Sequence, residues 1–199
     1  MQYETKQHIA NVASNILNPI LMSLLIIFLL AFSAGTGTLD TLKWAGISIV
    51  IGLVPVVLIV LYLVQNDRLD TVFINTREQR TKIYLLGSVC AVAGYAVLAL
   101  LKAPPMLLAA FAAGFATTIV FMLINLRWKI SMHTAMVADS VTVLAFLFGW
   151  FAAIGAVLLP LTAWSRVELK RHSLAQTITS AVLSSLIVVV VFHQFGRVS

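Results

Sequence analysis

Ile83–Leu126 reads IYLLGSVCAVAGYAVLALLKAPPMLLAAFAAGFATTIVFMLINL, with Lys102 as its single charge. A helix needs about 20 apolar residues to cross a hydrocarbon layer of roughly 30 Å. Ile83–Leu101 and Ala103–Leu126 each have that length and composition. Pro104 and Pro105 follow Lys102 directly and break any continuous helix, since proline lacks an N–H and its ring collides with the preceding turn. The two segments are expected to form an antiparallel pair joined by a tight turn.

The same signature recurs on either side. Ile16–Ala34 is a span with Pro19 in its first turn, where a missing N–H costs least. Trp44–Val64 is another, with a kink expected at Pro55, and Ser173–Phe192 is uncharged throughout. His133–Trp164 as one helix would run about 48 Å, and Gly149-Trp150 offers a turn that divides it into two short helices. The expectation is an all-α integral membrane protein, a bundle of about seven (six to seven) transmembrane helices forming one polytopic domain over residues 1–199. Residues 1–14, with Glu4, Lys6 and His8, form a polar interfacial segment and not a cleavable signal peptide. Trp44, Trp128, Trp150 and Trp164 all fall at expected helix ends, where an amphipathic indole belongs. Small-residue spacings such as Ala110/Gly114 read as helix-packing contacts.

Composition agrees. Hydrophobic residues make up 61% of the chain and charged residues 10%, against about 25% charged in an average soluble domain. With a mean hydropathy of +1.02, soluble enzymes, secreted disulfide scaffolds and disordered proteins are excluded. Cys90 is the only cysteine, so no internal disulfide forms. The net charge of +6 points to anionic membrane lipids and not to nucleic acid. With seven spans, 10 of the 13 basic residues lie on the side of the N-terminus and 3 on the other. The positive-inside rule then places the first side in the cytoplasm.

Three polar clusters land on that side: Asn75–Arg80, Arg127–His133, and Ser165–His172 with Gln176 one turn later. Arginines, a lysine and two histidines at one face suit an anion, because guanidinium groups grip phosphate oxygens bidentately. Histidine titrates near neutrality and can act as nucleophile, acid or base. Asp139 is the only acid inside an expected span, and an intramembrane acid is a functional-site hypothesis by default.

Ser165-Arg166, five residues, His172, three residues, Gln176 resembles the C-terminal Ser-Arg-x5-His-x3-Asp motif of the type-2 phosphatidic acid phosphatase superfamily, which also includes the vanadium haloperoxidases. Ile130–His133 resembles the middle motif Pro-Ser-Gly-His, keeping Ser131 and His133. Asn75–Arg80 resembles a degenerate first motif, without its proline. Lys129–His133 and Arg171–Gln176 resemble a divergent prokaryotic branch, which implies a prokaryotic cytoplasmic membrane. The likeness covers roughly Asn75 to the final helix.

The resemblance implies a membrane-embedded lipid or isoprenoid phosphate/diphosphate phosphatase that needs no metal or other cofactor. In it His172 attacks phosphorus to form a phosphohistidine and His133 protonates the leaving oxygen. Arg166 and Ser131 hold the phosphoryl oxygens, with Arg77 and Arg80 as the first motif's basic residues and Lys129 as an auxiliary. Gln176 replaces an aspartate that would orient His172; Asp139 or Glu168 could supply the missing acid. Two alternatives stand beside this: a catalytically weak relative that binds lipid phosphates or assists membrane assembly, and a small transporter.

Overall fold

The structure is a computed structural model, and it describes residues 2–35, 37–66 and 77–196. Ten α-helices follow in order: α1 Gln2–Ile16, α2 Pro19–Ala34, α3 Thr38–Ser48, α4 Val54–Gln65, α5 Arg77–Leu100, α6 Pro105–Asn125, α7 Met132–Phe148, α8 Ala152–Ala156, α9 Leu158–Glu168 and α10 Leu174–Gly196. No strand occurs among the described residues. Among the described residues, five helical stretches are long and apolar enough to cross a membrane: Glu4–Ala34, Thr38–Gln65, Glu78–Leu100, Pro105–Asn125 and Leu174–Phe195. Met132–Phe148 is a shorter apolar helix.

The distribution of polar groups is inside-out, as a lipid environment requires. On α10, Thr177, Ser180 and Ser184 are buried, whereas Leu174, Ile178, Val182, Leu186 and Val190 are exposed. In water that pattern would place apolar area on the wrong face. In a bilayer the exposed side chains meet hydrocarbon, while Ser180 Oγ accepts from Ser131 N–H, Ser184 Oγ donates to Ala135 O of α7, and Thr177 Oγ1 donates back to Leu174 O of its own helix.

Prolines set several boundaries. Asn18 caps α2, its Oδ1 accepting from Leu21 N–H at 3.0 Å, and Pro19 takes the first helical position. Before Pro55, residues Ile49–Leu53 form a π-helical turn, which absorbs the irregularity where proline supplies no N–H. The expected break at Gly149 is present: the residue has φ 61°, in the left-handed region glycine favours. The second arm of that hairpin differs from expectation. Instead of one helix to Trp164, a 3₁₀ turn Gly149–Phe151 leads into α8, and a second break precedes α9. Pro160 explains it, because its ring would meet the carbonyl of Ala156 four residues earlier, and α8 ends at Ala156.

The chain packs as two compact units, residues 1–26 with 129–190, and residues 27–128 with 191–199. In the first, Leu17, Met22 and Val137 form a buried cluster with Leu158 and Leu159 against it. In the second, α5 and α6 form the expected pair. Their turn is a Schellman motif: Ala103 N–H bonds to Leu98 O at 2.9 Å and Lys102 N–H to Ala99 O at 3.1 Å. Lys102 sits at φ 57° where glycine is usual. Across the pair, Asn125 Nδ2 donates to Thr81 Oγ1 at 3.0 Å, Ser88 Oγ to Thr118 Oγ1 at 2.9 Å, and Tyr84 meets Phe121 edge-on.

The small-residue contact differs from the expected one. A Cβ on Gly114 would meet nothing within 4 Å, whereas Cβ atoms on Gly52 and Gly94 would lie 2.6 and 2.2 Å from the Phe111 ring. The Phe111 ring packs against both glycines, so a Cβ on either would force it to move. Gly94→Ala should therefore destabilise the fold by about 1–3 kcal/mol, the usual cost of overpacking. Thermal unfolding in detergent checks this; an unchanged midpoint would mean that the ring moves aside freely.

Candidate functional site

Ser165 and Arg166 were expected in a loop, but α9 runs through them to Glu168. The chain then turns in a second Schellman motif, with Lys170 N–H on Val167 O at 2.9 Å and Arg171 N–H on Arg166 O at 3.0 Å. Lys170 occupies the left-handed position at φ 53°. The turn folds the chain back so that His172 N–H also reaches the Arg166 carbonyl, at 3.3 Å. The five residues between Arg166 and His172 thus span one helix cap, which brings the two together.

Ser173 begins α10 with a capping box, in which a hydroxyl and a Glu or Gln side chain three residues on satisfy each other's backbone donors. Gln176 N–H donates to Ser173 Oγ at 3.3 Å, and Ser173 N–H donates to Gln176 Oε1 at 3.1 Å. The same Oε1 lies 3.3 Å from His172 Nδ1. A backbone N–H can only donate, so the amide must turn its oxygen toward it. His172 Nδ1 beside that oxygen must then carry the ring proton in the neutral imidazole, which puts the lone pair on Nε2.

Ser131 caps α7. Its Oγ accepts from Thr134 N–H at 3.4 Å and pairs with Thr134 Oγ1 at 3.0 Å. Its own N–H donates to Ser180 Oγ at 2.8 Å. The side chain is fully buried, so Ser131 orders the helix start and is not displayed at an open surface. His133, in the first turn, is buried, and the charges of Arg166 and His172 both bear on its imidazole. Lys129 is half-buried just before this helix.

Arg166 is buried. Its Nη1 donates to Ser14 Oγ of α1 at 2.7 Å. Residues 2–14 of the stretch expected as an interfacial segment thus lie in a helix that supports the site. Gln7 on the same helix donates to Glu168 O at 3.3 Å.

The two candidate acids have other surroundings. Asp139 lies on α7 near Ser184, beside a polar seam between α7 and α10. That seam continues through Ser184 Oγ to Ala135 O at 3.2 Å and Thr142 Oγ1 to Ser185 Oγ at 3.0 Å. Glu168 ends α9 and engages Gln7 through its carbonyl. The group that orients His172 is Gln176.

Arg77 and Arg80 open α5 in the second unit; residues 75 and 76 of the same cluster lie outside the described residues. Ser14, Gln7, Ser173 and Ser180 were not singled out from sequence. Only Ser173 carried a visible signal, the Ser-x-x-Gln spacing of a capping box. Comparisons with protein-family models, with curated proteins and with solved structures find no match.

Proposed function

We propose that the chain is a membrane-embedded phosphatase acting on a lipid or isoprenoid phosphate or diphosphate through a phosphohistidine. The observation that carries this reading is the grouping of His133, Arg166 and His172, drawn from two distant sequence clusters, within electrostatic range of one another. Gathering groups that can bear positive charge costs free energy unless an anion joins them. A phosphate headgroup supplies that anion while its tail stays in hydrocarbon.

In the proposed reaction His172 Nε2 forms the bond to phosphorus as the bond to the leaving oxygen breaks. His133, which takes up its proton as the anionic substrate binds, gives it to that oxygen. Water then attacks the phosphohistidine, His133 takes up the water proton, and inorganic phosphate leaves. Gln176 holds the Nδ1–H tautomer through both steps. Arg166 and the first-turn N–H groups of α7 meet the charge that builds on the phosphoryl oxygens. Lys129 keeps the auxiliary phosphate-binding role that the resemblance implies.

The seven-span arrangement belongs to the same proposal, with α7 and the broken α8–α9 arm as its two shorter members. The basic-residue count supports a cytoplasmic active face, and the resemblance supports a prokaryotic membrane. Two observations favour the alternative of a lipid-phosphate binder: Ser131 is committed to a helix cap and Gln176 carries no charge.

The test is phosphate release by the purified full chain in detergent micelles. Phosphatidate, phosphatidylglycerophosphate and prenyl diphosphates are each offered with chelator present. Release from at least one is expected. No release on any of them, from folded protein, would move the assignment to the binding alternative.

A further inference from the structure

We propose that Ser14 is a positioning residue for the anion site: by pinning one terminal nitrogen of Arg166, it presents the opposite edge of the guanidinium to a phosphate. The inference rests on the phosphatase reading for its kinetic readout, though not for its binding readout. Gln7, Ala10, Ala13, Ser14 and Leu17 follow the i, i+3, i+7 spacing of one helix face. Along it Ala10, Ala13, Ser14 and Leu17 are buried. Small side chains there let α1 and α9 approach closely. A hydroxyl in the middle of such a face would be costly without a partner, and its partner is Arg166 Nη1 at 2.7 Å across 152 residues of sequence.

The guanidinium carries five N–H donors in a rigid plane, so fixing Nη1 restricts that whole plane. Arg166 Nε is buried and has no hydrogen-bond partner among the described residues. Nε and Nη2 form the edge that grips carboxylates and phosphates bidentately. A buried guanidinium donor left unsatisfied is unfavourable by itself, and an oxyanion on that edge would satisfy it. Ser14 thus supplies an acceptor on one side and directs the two-donor edge away from α1. It does not touch the phosphate.

The experiment compares full-length wild type with Ser14→Ala, Ser14→Cys and Ser14→Thr in detergent. It measures kcat and KM on whichever lipid phosphate the wild type hydrolyses, and the dissociation constant for inorganic orthovanadate by calorimetry. The contact strengthens as charge builds in the transition state. Ser14→Ala and Ser14→Cys should therefore lower kcat about 10- to 100-fold with KM changed less than about threefold. Orthovanadate should bind about tenfold more weakly, and Ser14→Thr should restore both to within about threefold. Cysteine keeps the volume while accepting hydrogen bonds poorly, so it decides the matter if alanine fails to fold.

Wild-type kcat and orthovanadate affinity in the cysteine variant would overturn the proposal. So would a threonine variant as impaired as the cysteine one with the same loss of thermal stability. If the wild type hydrolyses nothing yet binds orthovanadate in a Ser14-dependent way, the positioning role stands and the phosphatase reading falls. A wild type that binds no orthovanadate overturns both.

Discussion

His172→Ala is expected to lower phosphate release by about 10⁴-fold or more, the scale on which removal of a covalent nucleophile acts in well-studied hydrolases. The loss should fall on kcat. Binding of the headgroup depends on Arg166 and on backbone donors, which alanine leaves in place, so KM should change little. The fold should survive, because His172 joins the α9 cap through its backbone N–H on the Arg166 carbonyl. Its side chain meets Gln176, and that residue keeps its capping partner Ser173 without the imidazole. A thermal midpoint within a few degrees of wild type, together with an acid-labile phosphoryl adduct seen in wild type and absent in the variant, would complete the expected pattern. Turnover near the wild-type rate in a folded variant would remove His172 as the nucleophile and, with it, the covalent route.

The spans were legible because lipid imposes a coarse rule. The run from Ile83 to Leu126 carries one charge, and that charge, with two prolines after it, falls at the turn. Gly149 likewise marks a break that only a residue tolerant of positive φ accommodates easily. The C-terminal cluster was legible as a spacing but not as a geometry. Nothing in Val167–Arg171 announces a Schellman cap, since a lysine occupies the position where glycine would have signalled one. The end of α9 is set instead by contacts remote in sequence, including Gln7 on the Glu168 carbonyl. Ser14 was illegible for the same reason: a serine in a mildly amphipathic stretch has no local feature that points 152 residues ahead. Pro160 stands in the sequence, and its bearing on Ala156 follows from helix geometry alone.

The substitution of glutamine for aspartate in the last motif leads to the second large effect. Gln176 Oε1 serves two donors at once, Ser173 N–H and His172 Nδ1, so Gln176→Ala removes a helix cap and an imidazole acceptor together. The cap contributes about 1 kcal/mol and should appear as a lower unfolding midpoint. The acceptor matters more for rate. Without it the imidazole can rotate or place its proton on Nε2, where it has no lone pair to offer phosphorus. Loss of the correct tautomer costs about 10⁴-fold in a serine-protease triad. The expectation here is about 10²- to 10⁴-fold in kcat, the lower figure applying if the folded turn still restricts the ring.

Gln176→Glu separates the two roles. Glutamate suits the third position of a capping box as well as glutamine does, and its charge is favourable near a helix N-terminus. It also stabilises the imidazolium-like nitrogen that develops as the P–N bond forms. The glutamate variant should retain the wild-type unfolding midpoint and turn over at least as fast. A glutamate variant as slow as the alanine variant, with stability intact, would mean that this site requires an uncharged acceptor. A fast alanine variant would mean that the Nδ1 contact does not govern the reaction at all.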